Sequence, residues 1–298
     1  MAVATPPRTR SKAAAYVALT KPRIIELLLV TTVPTMIVAE RGLPSLGLMT
    51  ATVLGGTLAA GGANAINMVV DRDIDAVMHR TRRRPLVSGE ITPRAALVFA
   101  LGLETAAFVE LWALVNLLSA ALAVAATLFY VFVYTLWLKR TSSRNIVIGG
   151  AAGAVPVLVG WSAVTGTLDW PPVVLFAVIF YWTPPHFWAL AIRYRDDYAA
   201  AGVPMLPAVS GLRVTAGRIL VYTVLLWALT LLFAPVADMG GLYLVAALGL
   251  GAAFTWLAVD LVLRATPERA IRLFSWSIAY LALLFGAIAA DQLVRTGF

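Results

Sequence analysis

Residues 64–85 read Asn-Ala-Ile-Asn-Met-Val-Val-Asp-Arg-Asp-Ile-Asp-Ala-Val-Met-His-Arg-Thr-Arg-Arg-Arg-Pro and directly follow a long apolar segment. Only 13% of the chain is charged, yet this stretch contains three Asp and five Arg. If one helix runs through it, four oxygen-bearing side chains share one face, within roughly 80° and along about 17 Å of the axis. They are Asn64, Asn67, Asp71 and Asp75. Such a row suits Mg²⁺, which binds through a few carboxylates and completes its shell with water and phosphate oxygens.

The composition indicates an integral membrane protein. The chain has 298 residues, 61% of them hydrophobic, and its mean hydropathy is +0.87. A soluble domain of this size does not need so much apolar surface, so the excess is expected to face lipid. The net charge of +8 comes from basic residues at the ends of apolar segments, and we therefore expect no nucleic-acid binding. The absence of cysteine excludes disulfides, thiolate metal sites and cysteine nucleophiles.

Nine apolar runs are long enough to cross the hydrocarbon core as helices, which takes roughly 20 residues each. They lie near residues 24–40, 46–70, 95–114, 118–138, 145–165, 172–192, 215–235, 240–263 and 271–291. The sequence therefore predicts an all-α integral membrane protein with nine transmembrane helices. Residues 1–20 are predicted to form a disordered basic cytoplasmic tail, and residues 21–298 a single transmembrane domain.

Lysine and arginine are distributed unevenly between the two sides of these spans. Of the 23, 21 precede the first span or follow an even-numbered span, and only Arg41 and Arg295 lie on the other side. Because basic residues concentrate in cytoplasmic connections, the N-terminus is predicted to lie inside and the C-terminus outside. We expect a multi-pass protein of the bacterial plasma membrane, or of the equivalent mitochondrial inner membrane, with its active site on the cytoplasmic side.

Two long inner connections, at about 71–94 and 193–214, are expected to be functional, since loops of roughly this length are uncommon without a role. In the first, Arg80 and Arg84 follow the Asn/Asp row, where planar guanidinium groups could neutralise a phosphate-containing ligand of the metal. The alternative is that these arginines only fix the topology.

The second connection follows two prolines, and a helix beginning there would place His186, Arg193 and Asp197 within roughly 40° of one another. We predict that these three side chains share one inward face. The alternative for His186 is a hydrogen-bonded packing residue. The neighbouring His79 is expected to be solvated, and Asp196 is the weaker candidate of the acidic pair.

At these residues the chain resembles the UbiA superfamily of membrane prenyltransferases, whose first acidic motif is Asn-x-x-x-Asp-x-x-x-Asp. Asn67, Asp71 and Asp75 match it position by position. The chain is more narrowly similar to the branch that farnesylates haem, through Thr-Lys-Pro-Arg at 20–23, Pro-His-Phe-Trp-Ala-Leu at 185–190, Asp-Tyr at 197–198 and Ala-Gly-Val-Pro-Met-Leu-Pro at 201–207. The second motif departs from the superfamily's Asp-x-x-x-Asp, because Arg193 stands at its first position.

The resemblance implies a UbiA-type helical bundle and a Mg²⁺-dependent transfer of the farnesyl group of farnesyl diphosphate to a vinyl group of haem B. It implies that Asn67, Asp71, Asp75 and Asp197 hold the metal. It implies that Arg80 and Arg84 join these four as catalytic residues. It further implies that cationic and polar side chains bind the substrates; these are Lys21, Asn64, Lys139, His186, Arg193 and Asp196. The bilayer and a downstream haem A synthase are the other expected partners.

Two other functions remain open from the residues. A UbiA-type enzyme that prenylates an aromatic quinone precursor would share the Asn/Asp row but does not need the Pro-His-Phe-Trp block. A transporter would place its polar site near the middle of the membrane on broken helices, whereas these charged clusters lie at the ends of spans.

Overall fold

The computed structural model describes residues 10–297, apart from the side chains of residues 23, 24 and 26–29. Within that range the chain contains helices and no strand. The α-helices are α1 Lys12–Thr20, α2 Pro22–Glu40, α3 Leu46–Val70, α4 Arg72–Val77, α5 Pro93–Leu114, α6 Leu117–Leu128, α7 Lys139–Thr141, α8 Asn145–Thr165, α9 Trp170–Arg193, α10 Arg195–Ala200, α11 Leu206–Val236, α12 Gly241–Arg264 and α13 Pro267–Thr296. A π-helix, Phe129–Leu138, joins α6 to α7.

The predicted all-α fold with multiple membrane-spanning helices is confirmed. Eight helical segments among the described residues are long and apolar enough to cross a membrane, and α2 adds the shorter apolar stretch Val30–Glu40. Each of the nine predicted spans falls on one of these segments. Large apolar side chains remain exposed on the outside of the bundle, among them Leu54, Val98 and Val245, as expected for a surface that faces lipid.

The prediction of a disordered tail over residues 1–20 is wrong for its second half, and residues 1–9 lie outside the described range. Lys12–Thr20 form α1, which packs against α3. The run Ala-Ala-Ala at 13–15 favours a helix, and Oγ of Ser11 caps it by accepting a hydrogen bond from the Ala14 amide at 3.2 Å. Ala15 and Leu19, one turn apart, are buried, and this burial holds the helix on the bundle.

Helix α9 lies at the centre of the main hydrophobic core and packs against α8, α11 and α13. A second cluster joins α1 to α3 and α5, and a third joins α3, α5 and α6. The two predicted loops are partly helical: α4 lies in the first and α10 in the second. Helix α11 begins at Leu206 and bends at Gly211, whose φ of 73° lies in the left-handed region that favours glycine.

Candidate active site

The Asn/Asp row is buried at the C-terminal end of α3. Asn64, Asn67, Asp71 and Asp75 are 5%, 3%, 0% and 2% exposed, respectively. The single continuous helix expected here is not quite formed, because α3 ends at Val70 and α4 begins at Arg72. Backbone hydrogen bonds still link the row, from the Asp71 amide to the Asn67 carbonyl at 2.9 Å and from the Asp75 amide to the Asp71 carbonyl at 2.8 Å. The predicted common face therefore survives the change of helix.

Three cations bond to the row, one to each member of the motif. Nζ of Lys21 donates to Oδ1 of Asn67 at 2.7 Å. Nζ of Lys139 donates to Oδ2 of Asp71, and Nη1 of Arg84 donates to Oδ2 of Asp75 at 2.6 Å. These cations come from three separate parts of the chain, and the sequence predicts Lys21 and Lys139 as substrate-binding residues and Arg84 as a catalytic residue. Together they make this end of the bundle a dense array of oxygen acceptors and positive charge.

Lys21 reaches the row because the backbone turns sharply between α1 and α2. Its φ of 53° and ψ of 62° are unusual for a residue other than glycine, the more so before a proline. The Asn64 amide stabilises this turn by donating from Nδ2 to the Thr20 carbonyl at 3.1 Å. Burial, then the charges of Arg84 and Lys139, lower the pKa of Lys21 to about 7. Asn64, predicted to bind substrate, instead supports the residue that points at Asn67.

The π-helix Phe129–Leu138 adds side chains that sequence reasoning missed. Tyr130 and Tyr134 stack with ring centroids 5.4 Å apart, and both lie near Asp71. Oγ1 of Thr135 accepts a hydrogen bond from Nδ2 of Asn67 at 3.0 Å. In an α-helix, Tyr130 and Lys139 would lie about 180° apart. The wider π turn brings both to the same site, and π-helical segments are frequent at functional sites.

Asp73 points away from the row, as predicted. Its side chain is 64% exposed and accepts hydrogen bonds from Nη1 and Nη2 of Arg140 at 2.7 and 2.8 Å. This hydrogen bonding lowers the pKa of Asp73 to about 2. Nη2 of Arg140 also donates to the Val70 carbonyl at 3.0 Å, so this pair fastens the end of α3 to the segment after the π-helix.

The two long loops touch each other. Nδ1 of His79 lies 3.0 Å from Oδ1 of Asp197, and Cζ of Arg80 lies 5.7 Å from the ring centroid of Tyr194. Cζ of Arg193 lies 5.9 Å from the same ring. His79 is exposed, as expected, but it was not expected to contact Asp197. Asp196 is 92% exposed and pairs only with its neighbour Arg195 among the described residues.

His186, Arg193 and Asp197 do not lie on one continuous helix, as the predicted common face requires, although His186 and Arg193 are both in α9. Helix α9 ends at Arg193, and Asp197 lies in the separate short helix α10. His186 is 7% exposed and contacts α13 instead: Nδ1 lies 2.7 Å from Oγ of Ser277, and the ring lies 4.7 Å from that of Phe274. The helix break at Tyr194, where φ is −106° and ψ is 21°, separates the histidine from the acid.

The contacts of Ser277 determine which nitrogen of His186 bears the proton. The hydroxyl hydrogen of Ser277 is donated to the Phe274 carbonyl at 2.6 Å, so Oγ must accept from Nδ1–H of His186. Nε2 then has the free lone pair, and it makes no hydrogen bond with the described residues. The ring stacks on Trp182 at 4.3 Å, which makes this a flat aromatic environment.

The row fits a hard divalent cation through the chemistry of its donors. Oδ1 of Asp71 is buried and accepts no hydrogen bond from the described residues, with Nη2 of Arg140 at 3.9 Å. A buried carboxylate oxygen without a donor is costly, and a metal ion would satisfy it. No group of three or more His, Asp or Glu side chains among the described residues is yet close enough to enclose an ion, so Asp197 lies outside the cluster.

The chain belongs to the UbiA prenyltransferase family, which it matches over residues 28–284. A relative from Parafrankia sp. (strain EAN1pec), named protoheme IX farnesyltransferase, is 58% identical over 290 residues, which cover 96% of this chain and 93% of the relative.

Solved structures share the fold at lower identity. A structure of digeranylgeranylglyceryl phosphate synthase superposes with a TM-score of 0.77 at 19% identity, covering 95% of this chain and 99% of its own. A UbiA homologue from Archaeoglobus fulgidus, bound to DMAPP and Mg²⁺, superposes with a TM-score of 0.66 at 18% identity, covering 92% and 98% of the two chains.

Proposed function

We propose that this protein transfers the farnesyl group of farnesyl diphosphate to a vinyl group of protoheme IX (haem B), with addition of water, to give haem O and diphosphate. The observation that supports this most is the one-to-one bonding of three cations to Asn67, Asp71 and Asp75. The name of the 58% identical relative supports the same acceptor and donor.

Asn67, Asp71 and Asp75 would hold Mg²⁺, and Asp197 would complete the set from the second loop. When bound, the metal supplies positive charge that stabilises the departing diphosphate. The A. fulgidus homologue that was solved with Mg²⁺ supports a metal of this kind. Lys21, Arg84 and Lys139 bind the remaining diphosphate oxygens, and the charges of Arg84 and Lys139 are already in place before substrate arrives, which lowers the cost of charge separation.

The stacked rings of Tyr130 and Tyr134 lie beside this cationic array. As the allylic C–O bond breaks, both electrons leave with the diphosphate, and the farnesyl carbon becomes positive. The faces of these rings can stabilise that carbon by cation–π attraction. Arg80 and Arg193, which both lie near the ring of Tyr194, add positive charge at the rim, where they assist diphosphate binding.

The aromatic environment of His186 is the proposed position of the porphyrin. The histidine presents Nε2 as an acceptor in a fixed orientation, since Ser277 holds Nδ1–H, and Trp182 offers a flat face for stacking. The π electrons of the vinyl group form the new bond to the farnesyl carbon. Water then adds to the resulting cation beside the ring and loses one proton, which leaves the hydroxyethylfarnesyl side chain.

The charge distribution supports an N-terminus inside, a C-terminus outside and an active site on the cytoplasmic side of the bacterial plasma membrane. The Asn/Asp row, the start of α8 and the end of α9 all lie on the side that bears 21 of the 23 basic residues. A haem A synthase would be the downstream partner, because it consumes haem O.

Carboxylate substitutions test the assignment. Purified protein is supplied with haem B, farnesyl diphosphate and Mg²⁺, and haem O is measured by chromatography. Asp71→Ala and Asp75→Ala should lose turnover by at least about 100-fold, since each removes charge that is pre-organised for the reacting group. Asp73→Asn, which removes the exposed carboxylate charge of the same stretch but keeps an oxygen acceptor for Arg140, is the control and should keep normal turnover. Near-normal haem O formation by either buried variant would refute the metal assignment.

A further inference from the structure

The contact between His79 and Asp197 joins residues that are 118 positions apart, one from each long loop. Asp197 is a carboxylate and can only accept, so Nδ1 of His79 must bear the proton and donate it. Oδ2 of Asp197 makes no hydrogen bond or ion pair with any residue that the structure describes. One oxygen of Asp197 is therefore held, and the other is available to a ligand.

His79 is held in place although its ring is 77% exposed. The preceding residue, Met78, is 2% exposed and packs in the main core. On the other side, Thr81 is buried, and its Oγ1 donates to the Asp75 carbonyl at 3.1 Å. His79 and Arg80 thus project from a segment that packs in the main core at one end and bonds to the helix turn bearing Asp75 at the other.

The second loop meets this segment at two points. Tyr194 contacts Arg80. Asp197 lies three residues later, on the adjoining short helix, and contacts His79. Tyr198, the next residue, is partly buried and packs against the main core. We call these contacts, His79 to Asp197 and Arg80 to Tyr194, the cross-loop clasp.

We propose that His79 is a positioning residue, which holds Oδ1 of Asp197 and thereby leaves Oδ2 free to bind the metal of the Asn/Asp row. The inference rests on the proposed function, because it takes Asp197 as a metal ligand. It gives a role to a side chain that the acidic motif does not include. Hydrogen-bonding partners of metal ligands typically change metal affinity by about 10- to 100-fold when removed.

The first test measures metal dependence. In His79→Ala, the Mg²⁺ concentration for half-maximal turnover should rise by about 10- to 100-fold, with a smaller change in kcat at saturating Mg²⁺. His79→Asn keeps an N–H donor near the position of Nδ1 and should recover most of the loss. Arg82→Ala removes an exposed cation from the same segment and should behave like the wild type. An unchanged Mg²⁺ requirement in His79→Ala, or an equal rise in Arg82→Ala, would overturn the proposal.

The second test does not depend on turnover. The chain has no cysteine, so spin labels can be attached specifically at Arg83→Cys and Ala200→Cys, one on each loop. With Mg²⁺ and farnesyl diphosphate, the distance distribution should be narrow in the otherwise wild-type protein, broad with His79→Ala and narrow again with His79→Asn. Distance distributions of equal width in all three proteins would overturn the proposed role of His79 in the cross-loop clasp. If the labelled protein shows these widths but makes no haem O, the proposed function fails and the clasp stands.

Discussion

Replacing Gly149 by alanine should disturb the active site without touching a polar group. Gly149 lies on α8, and an added Cβ would come within 2.2 Å of Cδ2 of Tyr134, where ordinary contacts begin at about 3.4 Å. The ring would have to move by about 1.2 Å, and crowding of this size typically costs about 1–3 kcal/mol. Tyr134 would then leave its stacked position on Tyr130, and its face would no longer point where the allylic cation forms.

Gly153→Ala is the matched control, because it lies one turn further along α8 and an added Cβ there meets nothing within 4 Å. Both variants gain about 1 kcal/mol from helix propensity. The difference in their free energies of unfolding therefore isolates the clash, and it should be about 1–3 kcal/mol in favour of Gly153→Ala. Thermal unfolding in detergent and turnover measured at a temperature where both are folded provide the comparison.

Turnover of Gly149→Ala should fall by about tenfold or more, since a misplacement of about 1 Å near reacting atoms can cost about 100-fold. Gly153→Ala should keep wild-type turnover. The reasoning is refuted if Gly149→Ala unfolds like Gly153→Ala and turns over at the wild-type rate, because Tyr134 would then not occupy the space that the structure gives it.

Two further substitutions separate substrate binding from stability. Ser277→Ala removes the acceptor for Nδ1–H of His186, and a lost hydrogen bond of about 1 kcal/mol should raise the KM for haem B about fivefold without changing the KM for farnesyl diphosphate. The control is Ser119→Ala, which also replaces a buried serine and should leave both KM values unchanged. An equal rise in the KM for both substrates would contradict the role given to His186. Asp260→Ala breaks ion pairs to Arg264 at 3.0 Å and Arg269 at 2.8 Å. It should lower the free energy of unfolding by about 1–3 kcal/mol, less than for a fully buried pair because the guanidinium groups are partly exposed, while turnover of the folded enzyme stays normal.

The architecture and half of the site could be predicted from sequence because they follow short-range rules. Apolar runs of about 20 residues mark the spans, and the steps of three, four and four residues place Asn64, Asn67, Asp71 and Asp75 on one face. That face persists across the break at Asp71, since the backbone hydrogen bonds continue through it. The tail prediction failed because composition was given more weight than the capped alanine run that forms α1.

The other site residues are brought together by a π-helix, a helix break and long-range contacts, and none of these produces a periodic pattern in the sequence. In an α-helix with 3.6 residues per turn, Tyr130 and Lys139 would lie on opposite faces, and only the π-helix brings them to the same site. The same reasoning failed at Tyr194, where the helix that bears His186 ends before Asp197. Asp197 contacts His79, 118 positions away, and His186 contacts Ser277, 91 positions away. No local pattern in the sequence predicts either contact.

The central claim is that haem B accepts the farnesyl group, and product mass spectrometry tests this claim most directly. The purified wild-type protein is incubated with farnesyl diphosphate and Mg²⁺ and offered haem B and 4-hydroxybenzoate in parallel. We predict a haem product whose mass exceeds that of haem B by a farnesyl group and a hydroxyl group, with diphosphate released and the benzoate unchanged. Prenylated 4-hydroxybenzoate together with unmodified haem B would contradict the proposed function.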